Sequence, residues 1–281
     1  MVGPLPYIGG KNRLAKKIIS MLPEHTTYVE AFAGGAQVLF HKPPSNVEVL
    51  NDLDFDIVNF YRVCQWHYQE FVRYLRFSVA SRKLHELHVK SDPATLTDIQ
   101  RAGRFFYLQK NSFGGLILKQ KFHYGVIQPS NYNPERIPEI IEKTHQRLAR
   151  VQIESLPYEQ VLQKYDRPTT CFYLDPPYWG PKLYRFNFSE SDFRSLAGRL
   201  AELKGKFILS LNDRPEVREA FRAFRLSSCT VAYTAKQNGS KHYPELLITN
   251  FSREDPSTSG TVIEKAGSES FRHAWKSPTS P

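Results

Sequence analysis

"VEAFAGGAQVLF", Val29 to Phe40, decides the fold: an apolar run enters a glycine pair, Gly34 and Gly35, and leaves it with the helical spacing of "AQVLF". A strand that turns through glycine into a helix opens a βα unit, and the glycines leave no side chain in the crevice at the strand's carboxyl end, where open α/β sheets bind their ligands. "NVEVLND" is a second strand ending on Asn51 and Asp52, and behind it Ile57, Phe60, Tyr61, Cys64, Phe71 and Leu75 fall at helical spacing. "TTCFYLDPPY" and "KFILSLND" are further buried strands, separated by a helix carrying Phe193, Leu196, Leu200 and Leu203. "SSCTVAYTA" and "ELLITNF" complete the set as an antiparallel edge joined by the loop "KQNGSKHYP". The alternation predicts a parallel sheet flanked by helices.

Between roughly Ser78 and Arg150 the alternation breaks into a basic, aromatic, turn-rich stretch that includes "RFFYLQKNSFGGLILKQKFHYGVIQPSNYNP", which reads as an insertion with its own task. From Ser252 to Pro281 the chain is rich in Ser, Thr, Pro and charge and poor in large apolar residues, so disorder is expected there. A net charge of +10 over 281 residues favours an anionic partner such as nucleic acid, although a solvated basic surface gives the same count. The 3 cysteines, Cys64, Cys171 and Cys229, are scattered and odd in number, which suggests neither a disulfide framework nor a metal cluster. No apolar run reaches membrane-spanning length and no leader-like segment opens the chain, so a soluble, cytoplasmic protein is expected.

Three short motifs carry chemistry. In "PYIGGKNR", two glycines ahead of Lys11 let the backbone approach a ligand while the lysine offers a charge to a carboxylate or phosphate; the P-loop spacing is absent, and an ordinary turn before a helix explains the stretch equally well. Asp52, at the end of the strand after the glycine turn, stands where such folds bind the two hydroxyls of a ribose. Asp54 and Asp56 read as helix caps. "FYLDPPYWG" ends an apolar run on a carboxylate, locks the backbone twice and adds aromatic rings. An exocyclic amine on an aromatic base is a poor nucleophile because its lone pair is delocalised. Acceptors on its hydrogens, the Asp175 carboxylate and the Pro176 carbonyl, held rigid by Pro176 and Pro177, would aim it at an electrophile, with Tyr178 as a stacking face. The bland alternative is a strand stopped by two prolines, with Tyr178 in the core.

Taken together, "PYIGGK", "VEAFAGGAQVLF", "NDLDFDIVNFY", "FFYLQKNSFGGL", "DPPYWG" and "ELLITNF" resemble the Dam-like (D12 class) DNA adenine N6-methyltransferases in their order along the chain. The resemblance implies an α/β fold with a seven-stranded, Rossmann-like class I methyltransferase sheet and an inserted, mainly helical DNA-recognition domain containing a β-hairpin. Residues 1–77 and 151–251 would form the S-adenosyl-L-methionine-binding catalytic domain, 78–150 the target-recognition insertion and 252–281 the tail. It implies that Tyr7 and Lys11 border the methionine end of the cofactor with Lys11 near its carboxylate, that Phe32 and Gly34 flank it, that Asp52 binds its ribose, and that Asp175, Pro176, Pro177 and Tyr178 hold a target adenine swung out of double-stranded DNA, with Asp175 also beside the cofactor. No metal is implied, and a monomer is favoured. The DNA contacts implied are Asn111, Phe113, Lys119, Lys121, His123 and Tyr124 in "NSFGGLILKQKFHYG". GATC-specific relatives carry an arginine two residues after the leucine matching Leu116; here that position is Leu118, which argues against GATC recognition. The competing readings are methylation of cytosine N4, which poses the same electronic problem, and a catalytically silent DNA-binding protein of the same shape.

Overall fold

Strands β1 (Thr27–Glu30), β2 (Val47–Asn51), β3 (Val151–Glu154), β4 (Thr170–Leu174), β5 (Lys206–Asn212), β6 (Arg225–Thr234) and β7 (Ser240–Thr249) form one sheet in the order β3-β2-β1-β4-β5-β7-β6. This computed structural model describes residues 2–7, 9–112, 115–118, 120–123, 130–234 and 240–252, with the backbone alone over 231–234 and 240–243. Pairing is parallel from β3 through β5, while β7 runs antiparallel to both β5 and β6. Strand order reverses between β1 and β4, and a crevice opens at the carboxyl ends of strands on either side of such a reversal.

Both faces of the sheet are covered, which is why its central strands read as continuous apolar runs and not as alternation. Tyr28, Leu50, Tyr173, Ile208 and Leu247 face one apolar cluster, and Val29, Val49, Phe172, Leu174, Phe207 and Leu209 face the other. The second cluster is closed by helices α8 (Tyr158–Tyr165), α9 (Glu190–Ala201) and α10 (Pro215–Ala220) through Val161, Phe193, Leu196 and Val217. On the first face lie α1 (Ala15–Met21), α2 (Gln37–His41), α3 (Phe55–Trp66), α4 (Tyr68–Leu75), α6 (Asp98–Asn111) and α7 (Ile137–Leu148), with α5 (Arg82–Lys90) packed beyond them on α6.

The apolar spacing from Ile57 to Leu75 serves two helices and not one: the backbone departs from helix at His67, between α3 and α4. The break lets Tyr68 stack on His145 of α7, ring centroids 4.4 Å apart. Helix α6 starts in a capping box made by Thr97 and Gln100, a signature present in the sequence as Thr-Asp-Ile-Gln. Its Phe106 ring lies flat on Phe60 of α3, 5.7 Å between centroids and 3° between planes, with Phe71 and Phe105 around them. Helix α7 is tied to the sheet side by Arg147, which donates to both carboxylate oxygens of Glu48, and by Gln65, which donates to the carbonyls of Leu148 and Val151. Among the described residues every strand lies outside 78–150, yet α6 and α7 within that stretch share the sheet's own apolar core.

Two strand assignments differ from the sequence reading. β3 escapes it because only Val151 of its four residues is buried, so the edge strand has almost no apolar signature. β7 begins at Ser240, so Ser240–Pro244 belong to the strand, paired with Thr230–Thr234, instead of to the connecting loop. Of the expected hairpin, the described residues contain one antiparallel bridge, Ser112 to Phe122. The tail lies outside the described residues from 253 onward. Among the described residues, no helix is long and apolar enough to cross a membrane.

Because Phe60 is fully buried where the insertion and the sheet cover meet, Phe60→Ala should destabilise the protein by about 3–5 kcal/mol. Urea denaturation measures this; a loss below about 1 kcal/mol would show that the stack does not hold α6 in place.

Candidate active site

The glycine turn after β1 is shaped by a contact with β2. Gly34 sits at φ 46°, in the left-handed region that costs glycine nothing, and Ala36 follows at φ 47°. A Cβ on Gly34 would come within 3.0 Å of the Tyr7 ring. The Gly34 amide donates to Oδ2 of Asp52 and the Asp54 amide donates to Oδ1, both at 2.9 Å, so the carboxylate at the end of β2 is fixed from both sides. Burial pushes Asp52 up to about 6, and these backbone donors hold it from rising further. Tyr61 of α3 donates to the Gly34 carbonyl and completes the brace.

At the end of β4, Asp175 faces the same crevice. Its Oδ1 accepts from Lys11 Nζ at 2.6 Å and from Ser210 Oγ at 3.1 Å. No bond to Oδ2 is present among the described residues, which leaves that oxygen for a ligand. Burial raises the Asp175 pKa, against the charge of Lys11 and the two hydrogen bonds. Lys11 itself is almost wholly buried. Burial works against its ammonium, but the adjoining Asp175 carboxylate outweighs this and the pKa is raised. The ammonium also donates to the Tyr178 hydroxyl at 2.7 Å and to the Gly9 carbonyl at 3.0 Å. Three donors thus meet three acceptors, so the structure engages Lys11 with Asp175 and Tyr178 where the sequence reading reserved it for a cofactor carboxylate. The Tyr178 hydroxyl in turn donates to Oε1 of Glu245 on β7, at 2.5 Å.

These groups border a cavity of about 560 Å³, a volume suited to a cofactor-sized molecule. Tyr7, Lys11, Phe32, Gly34, Asp52, Asp175 and Pro177 line it, so the structure brings together the residues expected at the cofactor with Pro177 of the expected adenine pocket, while Pro176 is not among the lining residues. Tyr178 stands behind Lys11 and is not part of the lining.

Sequence reasoning missed other parts of the wall. Glu30, at the end of β1, lines the cavity as a buried carboxylate that accepts from the Tyr28 hydroxyl and the Leu39 amide; burial pushes it up to about 7. Leu156, Pro157 and Tyr158 reach the cavity from the end of the missed strand β3, and Tyr158 packs on Phe32 with centroids 5.5 Å apart. The segment after "DPPY" supplies Tyr184, Arg185 and Phe188. Arg185 Nη1 pairs with Asp54 Oδ1 at 2.8 Å and with Asp56 Oδ2 at 2.6 Å. Asp54 caps α3 as expected, its side chain accepting from the Asp56 amide. Asp56, expected as a cap, lies inside the first turn instead and caps nothing: fully buried, it pairs with Arg101 of α6 at 2.5 Å. Burial raises the pKa of both acids; for Asp56, Arg185 and Arg101 together outweigh it and the net shift is downward.

A family model described as D12 class N6 adenine-specific DNA methyltransferase matches residues 7–235, most of the chain and every residue that lines the cavity, with β7 lying beyond the match. The chain belongs to this D12 methyltransferase family. Among its relatives, the type II methyltransferase M1.LlaDCHI of Lactococcus lactis subsp. cremoris is 25% identical over 268 residues, covering 87% of this chain and 94% of the relative. The type II methyltransferase M.CviBI of Paramecium bursaria Chlorella virus NC1A is 27% identical over 252 residues, covering 87% and 95%. The retron Ec67 DNA adenine methylase of Escherichia coli is 25% identical over 231 residues, covering 78% and 80%. The D12 protein is therefore an S-adenosyl-L-methionine-dependent enzyme that methylates N6 of adenine in DNA, built on the class I methyltransferase sheet.

For this methyltransferase the structure redistributes the sequence-predicted DNA contacts. Asn111 is buried; its Nδ2 donates to the Tyr107 carbonyl, its Oδ1 accepts from Ser130 and its backbone carbonyl accepts from the His123 amide. It therefore ties the end of α6 from inside. Lys121 is exposed and His123 half-buried, beside the Ser112 to Phe122 bridge. Phe113, Lys119 and Tyr124 lie outside the described residues. The same stretch touches the cavity wall: buried Gln109, in the amide orientation that its partners require, donates to the carbonyls of Pro6 and Gly115. Gly115, at φ 66°, sits so close that a Cβ would lie 2.8 Å from the Pro6 carbonyl, next to Tyr7.

Gly34→Ala in the D12 enzyme places a methyl group in the left-handed region and against Tyr7, a cost of about 1–2 kcal/mol. The variant should unfold at lower denaturant and bind cofactor less tightly; wild-type affinity by calorimetry would show that the turn does not shape the cavity.

Proposed function

We propose that the cavity is the S-adenosyl-L-methionine site and that Asp175 to Tyr178 hold the target adenine, flipped out of double-stranded DNA, at its rim. The observation that carries this is Asp175 itself: a carboxylate bound through Oδ1 alone, lining the cavity whose other lining residues include Asp52 and Phe32. The residues present suit the cofactor. Asp52 offers acceptors for ribose hydroxyls, Phe32, Tyr158 and Phe188 offer apolar faces for a purine, and the Gly34 turn leaves room for close backbone approach. When bound, S-adenosyl-L-methionine supplies an electrophilic methyl group on a sulfonium.

Everything else is the work of this chain. The Asp175 carboxylate and the Pro176 carbonyl accept the two N6 hydrogens, so the nitrogen lone pair is drawn out of conjugation and aimed. Two successive prolines fix that carbonyl in place. Lys11 holds Asp175 ionised and oriented, in the role the geometry gives it in place of a cofactor contact. Asp175 is also the nearest acceptor for the proton that N6 must lose as the new bond forms, and orientation supplies most of the rate. An adenine stacked in a duplex cannot reach a rim so enclosed; extrusion costs a few kcal/mol, which stacking on Tyr178 and hydrogen bonding offset.

Residues 1–77 and 151–251 serve as the catalytic domain, supported by the placement of all seven strands, and 78–150 as the recognition insertion. Leu118, with 39% of its surface exposed, has no donor for guanine, which supports a recognition sequence other than GATC. Cytosine N4 offers the same electronic problem, and the family decides for adenine. A monomer is the favoured state, and three free cysteines suit the cytoplasm.

Asp175→Ala should abolish transfer of labelled methyl to DNA, a loss of at least about 1000-fold, while DNA affinity stays within a few fold; an active variant would remove Asp175 from the chemistry. Mass spectrometry of digested DNA should show N6-methyladenine alone. Cofactor affinity should also depend on pH. Burial pushes Asp52 up to about 6, above its ordinary 3.8, and the ionised carboxylate accepts ribose hydroxyls more strongly than the protonated acid. Binding is therefore expected to strengthen as pH rises through about 6 and then level off. A flat profile between pH 5 and 8 counts against the ribose contact.

A further inference from the structure

One residue of the cavity wall has no part in the chemistry above. Arg185 lies in the segment between "DPPY" and α9, with a third of its side chain exposed, and one guanidinium nitrogen, Nη1, bridges Asp54 and Asp56 at the head of α3. Asp54 is the residue whose amide donates to Oδ1 of Asp52. The chain of contacts therefore runs from the post-"DPPY" segment through Arg185 and Asp54 to the carboxylate assigned to the ribose. The same segment sets Tyr184 against Tyr7, with centroids 6.2 Å apart, and Phe188 against Phe32 and Tyr158, at 5.8 and 5.6 Å. Asn187 folds the segment on itself by accepting from the Tyr184 amide and donating to its carbonyl. These aromatic contacts press the segment on the cavity from both sides, and the arginine is its ionic attachment between them.

We infer that Arg185 is a positioning residue for the cofactor: by clamping this segment onto the acid pair it closes one wall of the cavity and holds Asp54, and through it Asp52, in the binding geometry. This rests on the reading of the cavity as the S-adenosyl-L-methionine site. Two carboxylates this close and this buried repel each other unless cations intervene; among the described residues Arg101 makes the remaining ion pair, on Asp56, with Arg104 acting on it without a direct pair. Without Arg185 the segment loses its ionic tie to the α3 head, and the two acids there are left to repel each other. Because a single nitrogen makes both ion pairs, a point charge can stand in for the planar guanidinium, unlike the usual case of forked arginine contacts.

Isothermal calorimetry with S-adenosyl-L-methionine on the full chain, together with methylation kinetics on duplex DNA, tests this on Arg185→Gln and Arg185→Lys. The glutamine variant should bind the cofactor about tenfold or more weakly, as expected for loss of a charge-assisted contact. Its KM for the cofactor should rise in parallel, kcat at saturating cofactor and DNA affinity should change far less, and lysine should recover part of the loss. Unchanged cofactor affinity, or a loss that falls on DNA binding instead, overturns the inference. Should Arg185→Gln not fold, Asn187→Ala loosens the same segment without unbalancing the acids and is expected to weaken cofactor binding likewise; wild-type affinity there also overturns it. A wild-type protein that fails to bind S-adenosyl-L-methionine would instead refute the underlying assignment of the cavity.

Discussion

The buried pair of Lys11 and Asp175 is the constraint on which the rest of the site depends. A carboxylate that is to accept from an amine must be an anion, and burial at the end of a central strand works against that charge. Lys11 supplies the compensation from a segment 164 residues away in sequence. Breaking such a pair leaves an uncompensated buried charge, which is far more costly than never having made it. The lysine is satisfied in turn by the Gly9 carbonyl and by Tyr178, whose own hydroxyl leans on Glu245. The short stretch from Pro6 to Lys11 therefore does three things at once: it neutralises Asp175, lays the Tyr7 ring under the glycine turn and meets the insertion at Gly115.

The acids at the end of β2 show how position divides identical side chains into different tasks. Asp52 meets only backbone donors and stays titratable near 6. Asp54 caps a helix and takes one arginine. Asp56, deepest of the three, takes two and is held ionised. A β strand passing into a helix rotates successive residues through different surroundings, so alternate aspartates in one short run need share nothing but their chemistry.

What was legible in the sequence was local. The glycine turn, Asp52 and "DPPY" announce themselves because a strand end, a turn and a locked backbone are each written in adjacent residues, and the sheet brings their carboxyl ends to one edge. Partners that depend on distant pairing were not legible. Arg185 meets Asp54 across 131 residues, and Tyr178 meets Glu245 across 67, with nothing in either neighbourhood to signal it. Leu156 and Tyr158 were lost with β3, whose single buried residue carries no pattern. The burial of Asn111 was hidden for the opposite reason: a polar residue in a basic, aromatic stretch looks like surface, yet its amide closes the end of α6 from inside. Lys11 lines the cavity, and where the sequence suggested a ligand as its partner the chain itself provides Asp175 and Tyr178.

The flat stack of Phe106 on Phe60 has a consequence for engineering. Since α6 and α7 fill the same core as the sheet, residues 78–150 cannot be exchanged as a cassette without tearing out the aromatic rings that the helices and the sheet share. A redesign that keeps both helices and alters only the residues between them leaves this common core whole.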